Sequence, residues 1–564
     1  MRRPVRALRW LAGLGLASLA LVTCRAAQSP SPSEAPVHTP KLFSGLGKIH
    51  HPIATQNAMA QRYFDQGLAL AYGFNHDGAV DAFREAARLD PNCAMCWWGI
   101  AFASGPNINA PMGPEGAKQA WDAAQQAKRL ESHASPAERD YIEAIQLRYT
   151  ADFEKTAGAG GSPGRMAQDR AFADAMRQVA QKHPDDVDAV TIFAESLMDL
   201  SPWNYWHDDG SPREFTREAE AALQRALALN PDHTGALHYT IHVYERFEPE
   251  KAEAAADRLE LQAPDAGHLV HMPAHIYYRL GRYKDAADVN EAAAAADVAY
   301  FSWCRAPAAY AALYYTHNLH FLWASAMIEG RSDVALTAAR RIVAQVPIEQ
   351  LATFPFLEEF LVTPHYTLAR FGRWDAILGE PPPPPGQKFV TAIWHYARGL
   401  AYTSKGQPAE AQREYEALAR IAADPAVASL GYDTSGGTAG QRLLVAQHHL
   451  AGEMAASRDD PRTAIAELEE AVRIQDSMPY SEPPAFYFPV RQALGAVLLD
   501  AGQPAKAELV YREDLRRYPR NGWSLYGLSK SLSAQGKGSD AQYAATAYQH
   551  AFARADVKLA ESRF

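Results

Sequence analysis

Histidine side chains are concentrated in three short stretches of the sequence. HLVHMPAH, residues 268–275, holds three histidines at spacings of three and four; HTGALHYTIHVYE (233–245) precedes it and THNLHFLW (316–323) follows it. Imidazole with carboxylate suits zinc, copper and iron. We therefore predict a transition-metal site, of copper, zinc or iron, with more than one ion geometrically allowed. Its predicted ligands are His238, His242, Glu245, His268, His271, His275, His317 and His320.

Helical periodicity places these histidines on one side of their helices. Spacings of three and four residues share a helix face, and the three histidines of 268–275 span roughly 60° of the helical surface. Val270, Ala274 and Tyr277 lie towards the opposite side, which predicts that they pack in the interior. Pro273 falls inside this segment and is expected to kink the helix or delay its start.

A ladder of small residues recurs along the chain and indicates the architecture that carries the histidines. In residues 60–91 the ladder consists of Gly67, Ala79, Phe83 and Ala86, with a proline closing the unit. Small residues allow two helices to cross closely, and proline cannot continue a helix. Similar ladders follow at intervals as far as Ala541. The chain resembles a tetratricopeptide-repeat (TPR) protein, which implies an all-α superhelix, or α-solenoid, of antiparallel helix pairs.

Several motifs narrow this resemblance. The stretches FNHDGAVDAFREAARLDPNCAMCWWGIA, GHLVHMPAHIYYRLGRY and YYTHNLHFLW resemble one group of large exported bacterial TPR proteins. The resemblance carries over no established reaction. It implies that the histidine positions line the concave groove where such arrays bind ligands. The expected partner is a peptide, protein or small molecule in that groove.

The N-terminus predicts export. Residues 1–24 have a basic start followed by an apolar run from Trp10 to Val22, the layout of a signal peptide. Lipidation of Cys24 and cleavage near Ala26 are alternatives, so we predict a periplasmic protein or a membrane-anchored lipoprotein. The predicted order is then a flexible tether (25–55), an N-terminal TPR array with the histidine-rich groove (56–378), a Pro-rich linker (379–388) and a C-terminal TPR array (389–564).

Cys93 and Cys96 form the one cysteine motif among four cysteines. Three alternatives are open for this pair in an exported protein: a disulfide, a redox pair or a metal clip. A c-type haem is excluded because no histidine follows the second cysteine.

The net charge and the number of metal-ligand side chains limit the functions that the sequence allows. The net charge of −10 and the isoelectric point near 6.1 give no footprint for nucleic acid or for an anionic membrane surface. One hypothesis is a metalloprotein, as an enzyme acting on a peptide or small molecule. The other is a non-enzymatic scaffold for protein–protein interactions in the cell envelope. The dominance of imidazoles in the predicted groove favours the metalloprotein.

Overall fold

Antiparallel helix pairs follow one another along the described part of the chain. The computed structural model describes residues 40–303, 310–431 and 437–564, and within these ranges it contains α-helices, short 3₁₀ and π turns, and no β-strand. The all-α class predicted from the sequence is confirmed. The α-helices are α1 Ala58–Tyr72, α2 His76–Leu89, α3 Ala94–Ala103, α4 Pro114–Arg129, α5 Pro136–Gln146, α6 Phe153–Thr156, α7 Met166–Lys182, α8 Val187–Met198, α9 Thr216–Leu229, α10 Thr234–Tyr244, α11 Glu253–Leu259, α12 Gly267–His271, α13 Pro273–Arg279, α14 Tyr283–Trp303, α15 Thr316–Glu329, α16 Ser332–Gln345, α17 Glu358–Leu361, α18 Thr363–Arg370, α19 Trp374–Gly379, α20 Lys388–Ser404, α21 Pro408–Ala422, α22 Pro425–Ala428, α23 Ala439–Ala456, α24 Pro461–Asp476, α25 Arg491–Asp500, α26 Pro504–Arg517, α27 Gly522–Ala534 and α28 Gly538–Ala551.

The small residues of the ladder lie where helices cross. A Cβ atom at Gly67 on α1 would lie 2.6 Å from the ring of Phe83 on α2. The ring of Tyr511 on α26 is held in the same way, because Cβ atoms at Gly495 and Gly527 would lie 2.4 Å and 2.1 Å from it. Glycine at these positions lets an aromatic ring fill the space between helices, as the repeat pattern predicts.

The histidine-rich helix is divided in two by its proline. α12 ends at His271 and α13 begins at Pro273, with Met272 between them. Proline fits the first position of a helix because its missing N–H has no partner there. The interruption at Pro273 expected from the sequence is thus present, and the histidines on both sides of it are still close together.

Residues 40–55 differ from the prediction. They were expected to belong to a flexible tether, but Leu46, His51 and Ile53 are buried. His51 Nδ1 lies 2.9 Å from Asp188 Oδ2 on α8, and His233 Nε2, at the start of α10, lies 3.0 Å from the other oxygen of Asp188. Burial lowers the pKa of His51, but the Asp188 carboxylate outweighs it and raises that pKa to about 9. This ion pair ties the segment to the array. The predicted signal peptide and the first part of the tether lie outside the described residues.

The C-terminal helix pairs pack against the middle of the N-terminal ones. Trp523 Nε1 on α27 donates to the Met327 carbonyl on α15 at 3.1 Å, and the carboxylate of Asp556 accepts from the Ser332 amide at 2.7 Å. The Pro-rich segment 379–388 lies between α19 and α20, and the domain boundary predicted there stays a prediction. No helix in the described ranges is both long and apolar enough to span a membrane.

Candidate metal centre

Three histidines from two repeats form the first group, which we call set A: His238 and His242 of α10 and His268 of α12. His238 Nε2 lies 3.0 Å from His242 Nε2 and 3.2 Å from His268 Nε2. One ligand atom from each histidine lies within 4.8 Å of the other two. All three side chains are buried. The i, i+4 spacing on α10 and the first turn of α12 bring the rings together.

Three further histidines form set B: His271 of α12, His275 of α13 and His317 of α15. His271 Nε2 lies 2.9 Å from His275 Nε2, and one ligand atom from each of the three lies within 4.8 Å of the other two. The two sets are neighbours, because the ring centroids of His268 and His271 are 6.0 Å apart. The structure therefore places six of the eight predicted ligands in two adjacent groups of three.

Backbone and side-chain acceptors orient two of these imidazoles. His238 Nδ1 lies 2.7 Å from the Tyr72 carbonyl oxygen, so Nδ1 must donate and carry the proton. His271 Nδ1 lies 2.7 Å from Asn290 Oδ1, and Asn290 Nδ2 donates to the Ala286 carbonyl, which settles the orientation of that amide. In both histidines Nε2 is left with a lone pair directed at its neighbours. Metal-binding histidines are usually held by such hydrogen bonds.

Two buried carboxylates face set B. His275 Nδ1 lies 3.0 Å from Glu245 Oε2 and 2.9 Å from Glu482 Oε2. Glu482 comes from the loop between α24 and α25, more than 200 residues along the chain. Burial lowers the pKa of His275, but the two carboxylates outweigh it and raise that pKa to about 10. Arg279 Nε lies 3.7 Å from Glu482 Oε1 and partly balances the negative charge.

The other five imidazoles favour the neutral form that metal binding requires. Burial, and then the proximity of other histidines, lowers their pKa values well below the usual range for histidine. These five are His238, His242, His268, His271 and His317.

Aromatic side chains enclose the two sets. Phe74, from the turn between α1 and α2, packs on His238 with ring centroids 4.6 Å apart. Phe321 packs on His275 at 4.5 Å, and Tyr314 packs on His268 at 4.8 Å. The sequence resemblance predicts histidines lining a groove, whereas in the structure they are largely enclosed, because these rings and the Glu482 loop fill the space in front of them.

One solvent-exposed ring also contacts the centre. Trp203 packs edge-on against His242 at 4.9 Å while 43% of its surface is exposed. Its φ of 62° is unusual for a bulky residue, and Phe215, at the other end of the same insertion, has a φ of 70°. The SPWNYWHDD segment thus covers set A on one side.

His320 and Glu482 depart from the predicted ligand list. His320 is absent from the three-ligand groups found among the described residues; its ring stacks on Trp323 at 5.2 Å and contacts Phe360 at 5.4 Å. Glu482 lies in a segment whose pattern favours repeat packing, but its carboxylate is in the centre. No spacing within EPPAFYFPVRQ relates Glu482 to residues 245–275, so the sequence holds no local signal for it.

Cys93 and Cys96 are bonded to each other. The pair forms a disulfide at the start of α3, and both residues are buried. Of the three alternatives open from the sequence, the structure has the disulfide, and in this state neither sulfur is a free thiolate ligand.

A further acidic group is accounted for without a metal. His51, Asp186 and Asp188 have ligand atoms within 4.8 Å of one another. Both carboxylates accept hydrogen bonds from tyrosine: Tyr72 donates to Asp188 at 2.7 Å and Tyr141 donates to Asp186 at 2.8 Å. We therefore interpret this group as a structural hydrogen-bond network.

Comparison with known proteins adds only distant structural likeness. No protein-family model matches the chain, and no curated protein matches it. The structure is similar to a human IFIT1 dimer with m7Gppp-AAAA, at 12% identity over 88% of this chain and 90% of that chain, with a TM-score of 0.31. It is also similar to the Cut9–Hcn1 hetero-tetramer of APC/C (12% identity, 84% and 76% covered, TM-score 0.29) and to yeast Tom70 (12%, 86% and 90%, 0.27). Likeness at this level does not extend to ligands or activity.

Proposed function

We propose that this protein binds a pair of transition-metal ions, one held by set A and one by set B. The observation that carries the proposal is the convergence of Nε2 atoms. Two nitrogens bound to one ion at about 2.0–2.1 Å, with an angle between 90° and 109°, are roughly 2.9–3.4 Å apart. Three Nε2 pairs in the two sets are separated by 2.9, 3.0 and 3.2 Å.

A cation is needed between the Nε2 atoms of His271 and His275 in set B. His271 carries its proton on Nδ1, and His275 Nδ1 faces two carboxylates and so holds a proton or another cation. The Nε2 atoms of the two residues lie 2.9 Å apart, so their lone pairs would repel unless a second proton on His275 or a metal ion lies between them. The carboxylates that raise the pKa of His275 favour that proton when no metal is bound. A metal ion would replace the proton and would also engage His317.

The donor set limits the metal and indicates the kind of chemistry. Three imidazoles suit copper, zinc or iron. Three protein ligands leave a coordination position for water or substrate, as in catalytic rather than structural sites. Such an ion, when bound, supplies Lewis-acid or redox activation. We therefore propose a metalloenzyme acting on a small molecule or peptide, with Trp203 at the exposed edge of the site.

Export is part of the proposal. Disulfides persist mainly in oxidising compartments, and the bond between Cys93 and Cys96 supports a periplasmic or cell-envelope location. A non-enzymatic scaffold is the alternative function, since repeat arrays present extended binding surfaces.

Elemental analysis tests the metal proposal. Protein produced in the periplasm and purified without chelators is expected to contain stoichiometric transition metal. The triple variant His271→Ala, His275→Ala, His317→Ala removes all of set B, so it is expected to keep the set A ion and unchanged helix content. Wild-type protein without stoichiometric metal would refute the proposal and leave the scaffold.

A further inference from the structure

Three buried polar atoms beside set B lack hydrogen-bond partners. They are His275 Nδ1, Glu245 Oε2 and Glu482 Oε2, and each is shielded from solvent. The nitrogen lies 3.0 Å from the first oxygen and 2.9 Å from the second. These distances suit hydrogen bonds, but the angles do not. Buried polar atoms without partners are rare and often indicate a missing ion or water.

An ion pair between His275 and the two glutamates does not fully explain the positions of these three atoms. A protonated His275 between two glutamates, with Arg279 near Glu482, would balance the charges. A charged N–H normally points along one short hydrogen bond to an oxygen. Here one ligand atom from each of the three residues lies within 4.8 Å of the other two, and neither oxygen accepts in hydrogen-bond geometry.

We propose that a third metal ion binds between His275 Nδ1, Glu245 and Glu482, so that His275 bridges this ion and the ion of set B through its two ring nitrogens. The proposal rests on the two-metal function above. Ligand atoms about 2.0–2.2 Å from an ion and 90–109° apart are roughly 2.9–3.5 Å from each other. The two distances from His275 Nδ1 to the carboxylate oxygens, 3.0 Å and 2.9 Å, fall in this range.

The ligands define the class of ion. One imidazole and two carboxylates form a harder donor set than the three imidazoles of sets A and B, and they suit Zn²⁺, Fe²⁺ or Mn²⁺. A divalent cation neutralises the two carboxylates. The ion forms a bond to Nδ1 and displaces the proton there, so one proton is released when it binds. The bridge also couples the third ion to set B, because both share the electrons of one imidazole ring.

Zinc stoichiometry tests the third site. Metal-free full-length protein is loaded with Zn²⁺, freed of excess metal and analysed for zinc per chain. The wild type is expected to bind three ions and Glu482→Gln two. A matched control is Glu220→Gln, which alters a buried glutamate that is paired with Arg217 on α9 and is not among the proposed ligands. That control is expected to bind three. His275→Ala is expected to keep only the set A ion.

The outcomes separate the two proposals. Two ions in both the wild type and Glu482→Gln would overturn the third site and leave the two-metal function intact. No zinc in the wild type would overturn both. A fall below two in Glu482→Gln would show that Glu482 only positions ligands of set B. Helix content by circular dichroism checks folding. Anomalous scattering at the zinc edge from wild-type crystals, expected to give three peaks around His275 and its neighbours, tests the site without any variant.

Discussion

Replacing His238 tests whether metal binding by set A stabilises the fold independently of set B. This residue is fully buried, lies within 3.2 Å of both other set A ligands and donates to the Tyr72 carbonyl. His238→Ala is therefore expected to abolish metal binding in set A while set B keeps its three histidines. The variant also loses stability without metal, because it leaves a cavity and an unpaired carbonyl, together about 2–4 kcal/mol.

The quantity to compare is the increase in the free energy of unfolding when metal is added. Binding to the folded state stabilises it by RT ln(1 + [L]/Kd), about 2.7 kcal/mol per site when free metal is 100 times Kd. The wild type is expected to gain about 2.7 kcal/mol more than His238→Ala, whatever the number of other sites. Urea unfolding followed by circular dichroism, with excess chelator and then with buffered Zn²⁺, measures both gains.

His449→Ala is the matched control. His449 is fully buried and its Nδ1 lies 2.8 Å from the Tyr396 hydroxyl in the C-terminal helix pairs, so its loss also costs stability. Its metal-dependent gain is expected to equal that of the wild type. Equal gains in the wild type and His238→Ala would refute the assignment of His238 as a ligand. A reduced gain in His449→Ala would show that general destabilisation, and not a lost ligand, sets the effect.

Three further outcomes are expected. Asp188→Asn should lower the free energy of unfolding by about 3 kcal/mol at pH 5.5, because it removes the carboxylate that contacts both His51 and His233. The folded-state pKa of Asp188 is depressed and that of His51 is raised to about 9. This pair therefore stabilises the fold fully between about pH 4 and 6.5, and its contribution falls as pH rises through 9. Urea unfolding of the wild type and Asp188→Asn at pH 5.5 and 9.5 should show a smaller difference in unfolding free energy at pH 9.5. Gly67→Ala should cost about 1–3 kcal/mol in the same assay, since the new Cβ would lie 2.6 Å from the Phe83 ring, and an unchanged midpoint would contradict the close crossing. Reducing the disulfide with tris(2-carboxyethyl)phosphine should leave the metal content unchanged by elemental analysis, and additional metal bound after reduction would place those sulfurs among the ligands.

Much of the fold and part of the centre could be predicted from local sequence. Helix pairs follow from spacings such as that of Gly67 and Phe83, because two helices cross closely only where one side chain is small. The i, i+4 histidines of α10 share a face for the same local reason. The effect of Pro273 was also predictable, since proline has no amide hydrogen to donate.

The grouping of the ligands was decided by tertiary structure. His268 joins set A and His271 joins set B although they lie in one short helix, because each faces a different neighbouring repeat. His320, with a spacing as suitable as that of His317, instead stacks on Trp323. Local periodicity gives the face of a helix but not which residues of the next repeat it meets.

The enclosure of the centre required contacts between distant parts of the chain. Glu482 reaches His275 because the C-terminal helix pairs return against the middle of the N-terminal ones, as the bond from Trp523 to the Met327 carbonyl shows. That return depends on small rotations summed over many repeats, and no single spacing encodes it. The sequence alone thus specified helix pairs and a histidine-rich face, while the packing of repeats some 200 residues apart turned that face into a buried centre with carboxylates.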